Sequence, residues 1–219
     1  MRHVGIDPAT TTGIVALDPD GKLIGWKEIK GKGDTAPRRI NMIFNSVYAH
    51  LREDDNVCIE GFAMEAFDTN KVSSGFNWAA RLATDRRIGS FEVATPNQLK
   101  NFVDVSEYGP DPDRPGKKRR LKGDEVKRRV QAAVEAHWGD QPPTFNIADA
   151  YVLARIAEAI WRVNKGETFV NDYPSYQKEV LIAILHPEIA KEKKKKARER
   201  KKAREEAKAA AEEKQETLF

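Results

Sequence analysis

The sequence predicts an α/β fold in which three strands come first and single strands then alternate with helices. Residues 4–18 contain two apolar runs joined by a turn of small hydroxyl residues, which is typical of a β-hairpin. A third strand is predicted over 21–29, after an Asp-Pro-Asp-Gly turn that favours antiparallel pairing. The remaining segments alternate between helical and strand patterns, as in an α/β domain.

Apolar spacing locates the later elements. Residues 35–51 and 70–89 show helical spacing, and in the second segment we expect Trp78, Leu82 and Ile88 to face inward. Residues 104–123 are rich in Pro, Gly and basic side chains, so we predict a mobile loop there. Short strands are predicted at 57–60 and 91–94, and further helices from Thr95, over 124–138, from Asn146 to about Val163, and over 176–185.

Positive charge is concentrated in two segments of a chain whose formal net charge is +4. Residues 190–219 hold 12 Lys or Arg and seven Asp or Glu, and residues 114–129 hold nine and two. Local basic regions of this kind favour a polyanionic partner, and nucleic acid is the partner that we predict.

Cysteine usage and hydropathy predict a cytoplasmic protein. Cys58 is the single cysteine and lies in an apolar run, so we expect a buried thiol and no disulfide within the chain. No apolar run approaches 18 residues, so we expect no membrane span and no membrane partner.

Three carboxylates recur at comparable places in the predicted elements. Asp7 and Glu60 end strands that this topology places side by side, and Asp149 opens a helix that can lie across their ends. Converging carboxylates repel unless cations bind them. Mg²⁺ accepts such oxygen ligands, and two ions about 4 Å apart can cleave a phosphodiester. The alternatives are a turn role for Asp7 and a first-turn helix-dipole role for Asp149.

The order of the motifs resembles that of the RuvC-like Holliday junction resolvases. The resemblance covers residues 1 to about 163 and depends on the sequence of several short motifs rather than on one of them. These motifs are Gly5-Ile6-Asp7-Pro8, Thr12-Gly13, Ile59-Glu60, Thr95-Pro96 with Lys100, Lys122-Gly123 with Glu125-Val126, and Ala148-Asp149-Ala150.

The resemblance implies a ribonuclease H-like mixed sheet, three antiparallel strands followed by parallel ones, flanked by helices. It also implies a homodimeric crossover junction endodeoxyribonuclease of recombination, replication or repair. Such an enzyme uses two Mg²⁺ ions, for which Mn²⁺ can substitute, to nick four-way DNA junctions. Asp7, Glu60 and Asp149 would bind the metal. The family has an acidic residue or His where this chain has Asn146, so we expect only a carbonyl ligand there and weaker metal binding.

DNA contacts are expected on one aromatic side chain and a set of basic ones. Phe62 lies near the place where the family carries an aromatic residue that stacks on junction bases, and a core role for Phe62 is the alternative. The basic residues expected to contact phosphates are Lys100, Lys117, Lys118, Arg119, Arg120, Lys122 and Lys127.

The last part of the chain is predicted to serve partner binding. Its charged tail has no apolar stripe, so we expect it to project into solvent as a helix or as a disordered segment. Gln215, Leu218 and Phe219 resemble the peptide by which bacterial replication proteins bind the sliding clamp, and we expect a protein of a bacterium or, given the unusual tail, of a bacteriophage. The predicted segments are 1–165 (nuclease domain), 166–189 (helical extension), 190–214 (tail) and 215–219 (clamp peptide).

Two other functions are compatible with the sequence. Asn146 leaves open a catalytically weak or inactive junction-binding adaptor that the clamp tethers to DNA. The turn at residues 7–13 also looks like the phosphate-gripping turn of actin-like ATPases and sugar kinases. Those proteins need two such lobes around a nucleotide, and the sequence contains no second copy of the motif.

Overall fold

The structure is a computed structural model that describes residues 1–62, 72–192, 195, 196 and 198–200. The chain divides into two units, Met1–Leu181 and Ile182–Phe219. The first unit contains the sheet and the surrounding helices, and the described part of the second is helical over most of its length. The predicted clamp peptide and most of the predicted tail lie outside the described residues, so both stay predictions.

Seven strands and six α-helices are assigned in the described residues. They are β1 (His3–Asp7), β2 (Thr11–Leu17), β3 (Leu23–Lys30), α1 (Ala36–His50), β4 (Asn56–Glu60), α2 (Val72–Ile88), β5 (Glu92–Ala94), α3 (Pro96–Phe102), β6 (Tyr108–Pro110), β7 (Lys118–Arg120), α4 (Gly123–Trp138), α5 (Phe145–Lys165) and α6 (Ser175–Leu185). None of the helices described is long and apolar enough to cross a bilayer.

The main sheet has the strand order β3-β2-β1-β4-β5. Strands β1, β2 and β3 pair antiparallel, whereas β4 pairs parallel with both β1 and β5. The predicted mixed sheet flanked by helices is therefore confirmed. Because β1 and β4 are parallel neighbours, with Ile6 opposite Ile59, their last residues meet at the same edge of the sheet.

One face of the sheet packs against α1 and α2. Alternate residues of the central strands, such as Val4 and Ile6, point to this face and are fully buried with Ile43 and Val47 of α1. Each large aliphatic side chain buried in this way contributes about 1.5–3 kcal/mol to folding.

Helix α2 buries a face that shares only Ile88 with the predicted one, and Ile88 packs, partly buried, against the core. Trp78 and Leu82 are each 54% exposed, so the prediction that they face inward was wrong. The buried face consists of Phe76 and small residues, among them Ala80 and Ala83. Small side chains let two helices approach closely, and α2 packs along α1 in this way.

Helix α5 covers the opposite face of the sheet through two glycines. A methyl group at Gly5 would lie 1.9 Å from the carbonyl oxygen of Ala150, and one at Gly13 would lie 2.3 Å from that of Asn146. Real side-chain carbons do not approach backbone so closely, so only glycine lets α5 lie directly on β1 and β2. This contact brings the N-terminal turns of α5 to the edge where β1 and β4 end.

The segment predicted as a mobile loop at 104–123 is instead a small hairpin followed by the start of α4. Strands β6 and β7 pair antiparallel, with Tyr108 opposite Arg120. The buried carboxylate of Asp111 orders the turn between them by accepting hydrogen bonds from the Asp113 backbone and the Arg114 guanidinium. The Pro/Gly composition marked a turn correctly, but strands of three residues are too short to be detected from a periodic pattern.

Candidate active site

Asp7 and Glu60 lie side by side at the ends of β1 and β4. Both residues point to the face of the sheet that α5 covers, as do Gly5 and Cys58 two positions earlier on each strand. Their side chains lie within hydrogen-bonding reach of each other. Asp7 is 6% exposed. Two carboxyl groups so close together cannot both stay ionised without a cation.

Asp149 faces this pair from α5. Thr144 caps the helix by accepting a hydrogen bond from the Ile147 backbone, so the helix begins at Phe145. Asp149 is therefore its fifth residue and lies in the second turn, not in the first turn as the sequence suggested. A helix dipole acts within the first turn, so it does not account for a carboxylate at this position.

The three carboxylates raise one another's pKa. Burial and the charge of Glu60 raise the pKa of Asp7 well above its usual range. Burial, followed by the charge of Asp149, raises the pKa of Glu60 to about 7. Burial and the charge of Asp7 raise the pKa of Asp149 to about 7. The charge of Lys127 opposes these pKa shifts at all three groups, but the pKa values stay raised, so part of the centre is protonated at neutral pH.

The donor set fits a hard divalent cation. All three side chains offer carboxylate oxygens, the ligands that Mg²⁺ prefers, and a cation would remove the repulsion that raises their pKa values. Within the described ranges, no three His, Cys, Asp or Glu side chains are already arranged to hold a metal ion together. The metal-binding roles of Asp7, Glu60 and Asp149 therefore stay a prediction.

A cavity of about 400 Å³ adjoins the carboxylates. Its lining includes Glu60 and Asp149, the cationic side chains of Lys100, Arg120 and Lys127, a further carboxylate and several apolar side chains. Three cations beside an acidic centre suit a ligand that presents a phosphodiester to that centre.

Comparison with solved structures identifies the architecture. Thermus thermophilus RuvC in complex with a Holliday junction substrate matches with a TM-score of 0.54 and 19% identity, covering 76% of this chain and 96% of that one. A second Thermus thermophilus RuvC structure matches with a TM-score of 0.52 and 20% identity, over 76% and 97% of the two chains. The chain has the RuvC fold. No protein-family model and no curated protein matches the sequence.

Within this RuvC fold, Asn146 contacts a carboxylate that the sequence analysis did not single out. The Asn146 amide donates to Glu28 of β3, and the Thr144 hydroxyl donates to the same oxygen. The charge of Glu28 also contributes to the raised pKa of Asp7. Glu28 is one of several polar residues on the exposed edge strand β3, so its type alone gives no signal. Its register does, because Glu28 lies opposite Gly13, which in turn lies opposite Asp7.

Phe62 follows β4 and packs against α2. Its ring centroid is 5.6 Å from that of Trp78, and the Arg81 guanidinium lies 4.6 Å above the ring. Phe62 is partly exposed, so it contacts Trp78 and still presents part of its surface to solvent. The choice between base wedge and core residue stays a prediction.

The predicted DNA-binding cations fall into two groups. Lys100, Arg120 and Lys127 line the cavity, whereas Lys117, Lys118, Arg119 and Lys122 do not. In the second group, Arg119 is paired with Glu125 at 2.6 Å, and the Lys122 backbone donates to the same carboxylate at the start of α4. Lys117 and Lys118 are exposed on the hairpin. The cations that line the cavity are therefore the candidates to contact a phosphate at the carboxylates, and the others are candidates to contact more distant phosphates.

Proposed function

We propose that this chain is a divalent-metal-dependent endonuclease that cleaves four-way DNA junctions and related branched DNA as a homodimer. The observation that supports this most is the position of Asp7, Glu60 and Asp149 beside a cavity lined by cationic side chains. The RuvC fold supports it too, since one of the matched RuvC structures holds a Holliday junction substrate.

The residues of the chain would divide the work between them. Strands β1 and β4 hold Asp7 and Glu60 rigidly, and α5 holds Asp149 opposite them. These three would bind two Mg²⁺ ions, or Mn²⁺ in their place, which when bound activate a water and stabilise the leaving oxygen. Lys100 and Lys127 would orient the phosphodiester, and their charges lower the pKa of Glu60 and Asp149 toward the ionised state that metal binding needs.

A cleavage panel tests this function. Purified protein with Mg²⁺ should nick a synthetic four-way junction faster than a three-way junction, a flap or a linear duplex. Asp7→Asn should lower the rate by about a hundredfold or more and keep junction binding. Asp34→Asn changes an exposed carboxylate that pairs with Arg38, and this matched control should cleave normally. Equal cleavage by both variants would contradict the site assignment.

A second candidate function is a junction-binding adaptor with little or no cleavage. The observation that favours it is the side-chain amide of Asn146, which brings no charge to the centre and is hydrogen-bonded to Glu28. Tight junction binding without cleavage in either Mg²⁺ or Mn²⁺ would support this alternative. The sliding-clamp contact of Gln215, Leu218 and Phe219 stays a prediction, to be tested by clamp binding of the full chain and of a Leu218→Ala variant.

A further inference from the structure

Glu107 lies between two cationic side chains on the wall of the cavity. Its carboxylate pairs with Lys100 of α3 and, at 3.3 Å, with Arg120 of β7. All three residues line the cavity that Glu60 and Asp149 also line. Two of the three cations that face this cavity are therefore already paired with a carboxylate of the chain itself.

The exposure of these ion pairs permits exchange. Glu107 is 32% exposed, Lys100 18% and Arg120 67%. Hydrogen bonding to Lys100 and the charges of both cations hold the pKa of Glu107 below its usual range, so it stays ionised at neutral pH. Partly exposed pairs contribute little stability. A phosphodiester offers Lys and Arg the same kind of charged oxygen acceptors as a carboxylate does.

Lys127 differs from the other two cations. It lines the same cavity, and within the described residues it has no carboxylate at ion-pair distance. Its ammonium group lies 5.9 Å from the centroid of the Phe145 ring. An incoming phosphate can therefore bind Lys127 without breaking an existing ion pair, and it must compete with Glu107 for Lys100 and Arg120.

We propose that Glu107 is a positioning residue that takes the place of a DNA phosphate in the DNA-free protein. It holds Lys100 and Arg120 at the cavity wall, and it gives them up when a phosphodiester enters. This inference rests on the proposed junction-binding function. DNA binding then carries a free-energy cost, because the Glu107 carboxylate must leave Lys100 and Arg120 and become hydrated.

The test is junction binding by Glu107→Gln, measured as the anisotropy of a fluorescein-labelled synthetic four-way junction in EDTA. We expect Glu107→Gln to bind about two- to fivefold more tightly than wild type. The slope of log affinity against log salt should become steeper by about 1, because the freed cations then contact phosphate without releasing an internal carboxylate. Glu167→Gln removes the same charge from a pair with Arg162 at the far end of α5 and should change neither value.

Two further variants test whether the effect on DNA affinity depends on the length of the Glu107 side chain and on its pair with Lys100. Glu107→Asp retains the charge but is shorter by one methylene, so it should also bind more tightly, by a smaller factor. In a Lys100→Gln background, adding Glu107→Gln should have a reduced effect. If wild type binds the junction and both Glu107 variants bind it equally well or more weakly, this inference is overturned. No junction binding by wild type would instead overturn the proposed function.

Discussion

The side-chain amide of Asn146 donates a hydrogen bond to the carboxylate of Glu28, with 3.3 Å between Nδ2 and Oε1. The Thr144 hydroxyl donates to the same oxygen at 2.5 Å. Glu28 lies opposite Gly13, and Gly13 lies opposite Asp7. These hydrogen bonds join the start of α5 to the edge strand β3 on the sheet face that carries Asp7. The residues that they join are more than 100 positions apart in the chain.

Asn146→Asp should change how the centre responds to a cation. The new carboxylate would face Glu28 without the amide donor, so in EDTA we expect the free energy of unfolding to fall by about 1 kcal/mol. With Mn²⁺ the variant should gain more thermal stability than wild type, because four carboxylates then surround the cation, and cleavage should become faster. Melting curves over a Mn²⁺ titration measure both effects.

Asn164→Asp is the matched control for that experiment. It adds the same charge to α5 at an exposed position, about 27 Å along the helix at 1.5 Å per residue. Equal Mn²⁺ responses in the two variants would show that position 146 does not take part in metal binding.

The metal-free protein should lose stability as the pH rises from about 4 to 7. The pKa of Asp149 is about 7 in the folded chain and near 3.9 in an unfolded one. The folded state therefore binds more protons across this range, and stability falls with pH. Asp149→Asn should raise the free energy of unfolding in EDTA by about 1–2 kcal/mol at pH 8. Urea unfolding at pH 5 should show a smaller gain, and a gain independent of pH would contradict this assignment.

Gly5→Ala should separate α5 from the sheet. The new methyl group would lie 1.9 Å from the Ala150 carbonyl oxygen and 2.3 Å from the Ala154 nitrogen. Both are backbone atoms, so we expect a loss of about 1–3 kcal/mol or more in stability and a displaced Asp149. Gly25→Ala, on β3 with no atom within 4 Å of the added carbon, should change stability by less than about 0.5 kcal/mol. Chemical denaturation of both variants decides the comparison.

Lys127→Gln should weaken junction binding and shift the pH profile of cleavage. Lys127 lines the cavity and lowers the pKa of each of the three carboxylates. Removing its charge should reduce the salt slope by about 1 and move half-maximal cleavage to higher pH. Arg128→Gln removes the same charge from the next residue, which does not line the cavity. A pH profile that moved equally in both variants would argue against a specific role for Lys127.

Several features of the site could be predicted because they follow from local patterns. Asp7 and Glu60 each end a short apolar run, and three strands before the first helix indicate that β1 and the next strand are neighbours. An Ala-rich segment from Asn146 onward indicated the helix that carries Asp149. Each of these signals lies within about 20 consecutive residues.

Other features depended on packing between distant residues. The apolar pattern of α2 did not show that Ala80 and Ala83 face α1 while Trp78 stays exposed, because small side chains bury well only when a partner helix fits them. The hairpin at 108–120 was missed, since its strands have three residues each.

The sequence by itself determined the α/β class, the antiparallel start of the sheet and which carboxylates end the central strands, because hydrophobic periodicity and turn chemistry act locally. The mixed sheet was implied by the resemblance of the ordered motifs to a known family. Only the tertiary structure decided that Glu28 lies beside Asn146 and that Glu107 pairs with Lys100 and Arg120 inside the cavity. Those contacts join separate elements of the chain, so no local pattern specifies them. The first also depends on how closely α5 lies on the sheet at Gly5 and Gly13.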